Sequence, residues 1–160
     1  MAESLLIVWH SRTGAAQAMA AAALAGARDN ARMVNAAEGC PDAMLDSAGY
    51  LFICPENLGT MSGAMKEFFD RCYYPLLGRI EGRPYATAIA AGSDGRGAQG
   101  QIDRIVTGWR LRRVAEGMIV NLGAQSPEAI LAPKTVAPLD LVRCRQVGAA
   151  LGEGLRLGIF

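Results

Sequence analysis

The chain has 160 residues, 51% apolar and 19% charged, with a formal net charge of +1. This composition fits one globular domain over residues 1–160 and excludes a disordered chain. A near-neutral balance argues against the basic surface that nucleic-acid binding needs. No apolar run reaches the length of a membrane span. The opening Met1-Ala2-Glu3-Ser4 lacks the basic stretch of a leader, so a cytoplasmic protein without nucleic-acid or membrane partners is expected. The cysteines, Cys40, Cys54, Cys72 and Cys144, show no Cys-x-x-Cys spacing, and His10 is the single histidine. No zinc site of familiar spacing can be assembled, and no metal is expected. Each cysteine lies in or beside an apolar stretch and reads as a small buried hydrophobe.

Leu5–Trp9 is an apolar run of strand length. The loop His10-Ser11-Arg12-Thr13-Gly14 follows, and then an alanine-rich helix from Ala15 to Arg28. Such a loop brings free N–H groups and two hydroxyls to the positive end of a helix, where a phosphate is the natural guest; a plain N-terminal cap is the alternative. Arg32–Asn35 is a weaker strand. Cys40 to Ser47 reads as a short helix with Pro41 in its first turn. Tyr50–Cys54 is the second strong strand, ended by Pro55, and Glu56–Gly63 reads as an aperiodic loop. Ser62 is placed to cap the next helix. That helix carries Met65, Phe68, Phe69 and Cys72 on one face and the pairs Lys66/Asp70 and Glu67/Arg71 on the other, and is expected to stop before Pro75.

Tyr85–Ala91 reads as a strand buried on both faces. Gly92 to Gly100 is the most glycine-dense segment. The following helix has Ile102, Ile105, Val106 and Trp109 on one side and a basic end in Arg110, Arg112 and Arg113. Met118–Leu122 is the last strand. An irregular stretch with Pro127 and Pro133 leads to a helix over Pro138–Leu157, with Gly158 where it stops. Five strands alternating with five helical segments predict an α/β fold, a doubly wound five-stranded parallel sheet with helices on both faces. In the strand order 2-1-3-4-5, the long loops after strands one, three and four converge at the point where the chain reverses direction, the place where such sheets bind ligands.

Ser11-Arg12-Thr13-Gly14-Ala15-Ala16 resembles the phosphate loop of the flavodoxin-like superfamily, with an alanine at 16 where a threonine is usual. Pro55-Glu56-Asn57-Leu58-Gly59-Thr60-Met61-Ser62-Gly63 is similar to the second flavin loop of FMN-dependent NAD(P)H:quinone reductases and NADPH-dependent FMN reductases. Gly92-Ser93-Asp94-Gly95-Arg96-Gly97 is similar to their glycine-rich third loop. The resemblance covers essentially the whole chain. It implies FMN as cofactor, NADPH or NADH as donor, a quinone-like small-molecule acceptor and a possible homo-oligomer, with Tyr73, Tyr74, Trp109 and Phe160 as contact residues or core. It implies that Ser11, Thr13, Gly14, Ala15 and Ala16 hold the phosphate. Pro55, Glu56, Asn57, Leu58 and Gly59 would border the flavin ring, and Gly92, Ser93, Asp94 and Gly95 would meet its pyrimidine end.

Several roles stay open at this level. Arg12 either pairs with the phosphate or points to solvent, Glu56 points to solvent or pairs with Arg12, and Asp94 meets the ring or only shapes a turn. Arg96 reads as a solvated loop residue or an NADPH-phosphate contact, and His10 as a strand-end residue rather than a catalyst. The flavin loops offer no aromatic lid, although Trp9, Tyr73 or Tyr74 could reach the ring. An open ring face favours hydride exchange over carriage of single electrons. Chemistry on the cofactor needs no nucleophile or base from the chain, so no catalytic residue is expected. The alternatives are an electron-carrier flavodoxin serving a protein partner and a relative that has lost tight FMN binding. Gly95-x-Gly97-x-x-Gly100 also matches the dinucleotide fingerprint, but the next strand does not end in the acidic residue that fingerprint requires.

Overall fold

A computed structural model describes residues 4–160. Met1, Ala2 and Glu3, which bear on the leader reading, lie outside the described residues. The strands are β1 (Leu5–Trp9), β2 (Ala31–Asn35), β3 (Gly49–Asn57), β4 (Thr60–Met61), β5 (Pro84–Ala91), β6 (Arg112–Arg113) and β7 (Met118–Asn121). The helices are α1 (Ala15–Ala27), α2 (Pro41–Leu45), α3 (Gly63–Leu76), α4 (Arg96–Gly108), α5 (Pro127–Leu131) and α6 (Pro138–Leu157). The sheet runs β2-β1-β3-β5, with β6 and then β7 pairing in turn along the outer side of β5, all parallel. Counting that split edge as one position gives the expected order 2-1-3-4-5.

The two faces of the sheet are packed differently. Leu6, Val8, Tyr50, Phe52 and Ile89 meet α2, α3 and α4 in an aromatic layer with Phe68, Phe69 and Trp109. Leu5, Ile7, Leu51, Ile53, Ala86, Ala88 and Ala90 meet α1 and α6 in a thin layer of alanines. This alternation follows from the period of two along each strand. The alanine layer lets α1 and α6 touch backbone to backbone. A Cβ at Gly148 would run into the Ala23 carbonyl, and one at Gly26 into that of Arg145.

Several local expectations are corrected. β3 does not end at Pro55: it pairs Pro55 with Ala90 and continues to Asn57. The Pro55 carbonyl still accepts from Ser62 N at 3.2 Å, so the proline keeps one backbone bond to the chain that follows β4 although it has no N–H to return. What read as a loop is a tight hairpin, with Glu56 opposite Met61 and Asn57 opposite Thr60. α3 runs through Pro75 to Leu76, because a proline in the last turn disturbs only the helix end. Arg112 and Arg113 form β6 and not a helix end, and α5 gives order to part of the stretch read as irregular. Among the cysteines, Cys54, Cys72 and Cys144 are buried as expected, but Cys40 is exposed at the N-cap of α2. Of the expected contact residues, Trp109 is fully buried and Tyr73 stacks on it at 5.7 Å, which makes both core; Tyr74 is exposed. Among the described residues, no helix is long and apolar enough to cross a membrane.

Candidate functional site

The carboxyl ends of β1, β3 and β5 open into one cleft of about 280 Å³. Its first wall is the β1–α1 loop. Gly14 takes the N-cap of α1 with φ 101, a left-handed conformation that suits glycine, and its N–H donates to Ser11 Oγ at 3.1 Å. No acceptor among the described residues meets the N–H groups of Ala15, Ala16 and Gln17, and no acidic side chain stands in that turn. The positive end of a 13-residue helix therefore faces the cleft uncompensated. Arg12 is exposed and, among the described residues, has no ion-pair partner.

The second wall is the β3–β4 hairpin. Its two-residue turn has Leu58 at φ 55 and Gly59 at φ 75, the paired positive angles of a type I′ turn. Glu56 turns neither to solvent nor to Arg12. Its carboxylate accepts from Gly95 N at 2.8 Å and Ala98 N at 3.1 Å, capping α4 from a different loop. The free N–H groups and the helix dipole at that end explain the choice of partner. A Cβ at Gly97 would run into the Gly59 carbonyl, so the hairpin lies directly on the first turn of α4.

Ser62 sits at the N-cap of α3 but makes no side-chain cap bond; its Oγ lies 2.8 Å from His10 Nδ1. Partial burial holds the His10 pKa below the usual 6.5. Ser62 is fully buried, so this His–Ser pair is linked behind the cleft and joins β1 to the start of α3. Burial also pushes the nearby Cys54 thiol up to about 12.

The third wall is built from Gly92 and Ser93. Ala124 N donates to the Gly92 carbonyl at 3.0 Å and Asn121 Nδ2 to the Ser93 carbonyl at 2.7 Å, tying this loop to the segment after β7. A Cβ at Gly92 would stand 2.6 Å from the Ala124 carbonyl. Asp94 accepts from the Arg96 backbone N–H at 3.3 Å and from its Nε at 2.7 Å, a local turn with Arg96 holding the carboxyl below its ordinary range. The glycines of the apparent fingerprint have other duties: Gly95 caps α4 at φ 96, and Gly97 admits the hairpin.

Of the residues singled out in the sequence, Ser11, Arg12, Thr13, Ala15, Ala16, Pro55, Glu56, Asn57, Leu58, Gly59, Gly92 and Ser93 line the cleft. Gly14, Asp94 and Gly95 do not line it. The sequence reading missed Ala90, Ala91, Leu122, Ala124, Ile130 and Lys134. Lys134 N donates to the Thr13 carbonyl at 2.8 Å, which brings a distant segment against the first loop; one of only two lysines after a proline was the sole signal. Among the described residues, no aromatic side chain lines the cleft. Among the described residues there is no group of three or more metal-binding side chains. The cleft has an uncompensated helix N-terminus at one end and a mixed lining along the rest, with Asn57 beside the apolar Leu58, Leu122 and Ile130, an arrangement that can bind a ligand.

The sequence profile of NADPH-dependent FMN reductases matches residues 24–121, a span holding the second and third loops but not the first. No curated protein matches the chain in sequence. Among solved structures, a flavodoxin from the domain Archaea superposes with a TM-score of 0.76 at 15% identity, over 96% of this chain and 99% of that one. A flavodiiron protein from Giardia intestinalis gives 0.77 at 19%, over 97% of this chain and 36% of that one. A flavodoxin, WrbA-like protein from Agrobacterium tumefaciens gives 0.72 at 19%, over 96% of this chain and 98% of that one. At these identities the likeness is one of fold.

Proposed function

The chain belongs to the NADPH-dependent FMN reductase family, and from that premise we propose that it oxidises NAD(P)H with FMN as cofactor and reduces a quinone or a similar small acceptor. In net terms NAD(P)H, a proton and the quinone become NAD(P)⁺ and the hydroquinone. Bound FMN supplies the hydride chemistry. Residues 1–160 act as one FMN-binding domain in this reading.

The observation that carries the reading is a contrast between two helix ends. α1 and α4 both start at a left-handed glycine, with φ 101 and ψ −18 at Gly14 and φ 96 and ψ −18 at Gly95. The α4 end is filled by the chain's own Glu56 carboxylate, whereas the α1 end is open. A phosphate dianion therefore fits at α1 and is disfavoured at α4. Ser11, Thr13 and the N–H groups of Ala15 and Ala16 would hold it, with Arg12 adding charge. Ala16 is buried at this turn and contributes through its backbone, so the missing threonine hydroxyl removes one contact and not the site. Pro55, Asn57, Leu58 and Gly59 would border the ring on one side, and Gly92 and Ser93 on the other. Gly14 and Gly95 fix the starts of α1 and α4, Glu56 ties the hairpin wall to α4, and Asp94 shapes the third loop.

The absence of an aromatic from the cleft lining supports the reductase over the carrier reading, because an uncovered ring leaves room for a second planar molecule. The test is protein reconstituted with FMN, desalted and mixed with NADPH without oxygen. Bleaching of the retained yellow colour is expected. Retained colour that neither NADPH nor NADH bleaches would assign the chain to electron carriage instead. Thr13→Val should weaken FMN binding by about 1–2 kcal/mol through loss of a hydroxyl donor. An unchanged Kd in a fluorescence titration would remove Thr13 from the phosphate site.

A further inference from the structure

We propose that Leu58 is the acceptor-facing contact of the cleft and that it selects electron acceptors with an apolar planar face. The proposal rests on the function proposed above and adds the residue that recognises the acceptor. Leu58 occupies the first turn position of the β3–β4 hairpin at φ 55, where asparagine or glycine is at ease and leucine is strained. Its side chain is 102% exposed, so no packing within the chain offsets either the strain or the apolar surface shown to water. The turn is nonetheless held firmly. Hairpin pairs lie on either side of it, Glu56 ties its base to α4, and the Gly59 carbonyl rests on Gly97.

A strained residue kept in place by its surroundings marks a position with a use outside the fold. Leu58 lines the same cleft as Leu122, Ala124 and Ile130, and Ile130 is itself 51% exposed. The cationic groups, Arg12 and Lys134, belong to the first loop and the segment bound to it. A planar molecule with an apolar face is thus matched by the walls that Leu58 and Ile130 form, whereas a small charged acceptor gains nothing from them.

The test is Leu58→Asn, which gives the turn its preferred Asn-Gly pair. Melting temperature should hold or rise, because the strain is relieved. Binding of menadione to the oxidised, FMN-loaded protein, followed by flavin fluorescence, should weaken roughly ten-fold, the low end for loss of an apolar contact. The preference for menadione over ferricyanide, as a ratio of kcat/KM with NADPH, should fall by a similar factor, mainly through the KM for menadione. Menadione affinity and KM within two-fold of wild type would overturn the proposal. So would a change in sedimentation behaviour, which would assign Leu58 to contact with a second copy of the chain. A wild-type protein that reduces neither acceptor would overturn the functional reading itself, and the binding titration would then judge Leu58 separately.

Discussion

Glu56 carries a negative charge into a cleft proposed to hold an electron-rich ring, and its partners resolve that conflict. The carboxylate is spent on Gly95 N and Ala98 N, where the α4 dipole favours it. Replacing Glu56 by alanine leaves both N–H groups without their acceptor and should cost about 1–2 kcal/mol in urea denaturation, the usual range for a lost helix cap. A loss below a few tenths would mean that water replaces the carboxylate at no cost. The cysteines differ as sharply from one another. Burial raises Cys54 to about 12 and Cys72 and Cys144 to about 11, while Cys40 is exposed. Thiolate is the reactive form. One thiol per native chain should therefore react with Ellman's reagent at pH 8, and all four in denaturant; Cys40→Ser should abolish the native reaction.

At the scale of elements, the alanine content of α1 is explained by its neighbour α6. Large side chains would hold the two helices apart, whereas alanines and glycines let their backbones meet at Ala23 and Gly148. Gly148→Ala puts a methyl against a carbonyl and should destabilise the fold by about 3 kcal/mol, the upper range for overpacking. Gly100→Ala is the control. It lies within α4 with nothing within 4 Å of the added methyl and should stabilise by about 0.5–1 kcal/mol through helix propensity. Equal effects in the two variants, read from urea midpoints, would contradict this account of the α1–α6 contact. On the other face, aromatic side chains hold α3 and α4 off the sheet, and Trp109 Nε1 is satisfied by the Tyr73 carbonyl at 2.9 Å.

For the molecule as a whole, the topology gathers three loops and the segment around Lys134 at one end of the sheet. The cleft therefore depends on the assembled fold and is stabilised by whatever fills it. FMN at 100 times its Kd should add about 2.7 kcal/mol and raise the melting temperature by roughly 5–10 °C. Riboflavin, which lacks the phosphate that α1 is proposed to hold, should give a clearly smaller rise at the same concentration. Equal shifts from the two would argue against an anion site at the α1 end.

The sequence by itself determined the alternation of strands and helices, the parallel sheet and the three loops at its carboxyl end. Those features are written in local signals: apolar runs of strand length, helical periodicity, and glycine and proline at chain reversals. It located β1 at Leu5–Trp9 and α6 at Pro138–Leu157, the same bounds that the structure has. Only the tertiary structure decided how distant groups share their polar partners. Glu56 reads as a loose loop acid until α4 arrives beneath it, Ser62 as a helix cap until His10 takes its hydroxyl, and Lys134 as a surface lysine until its backbone meets Thr13. Each depends on a contact between residues far apart in the chain. Local propensity carries no information about such contacts, because the competing partner exists only once the sheet has brought it close.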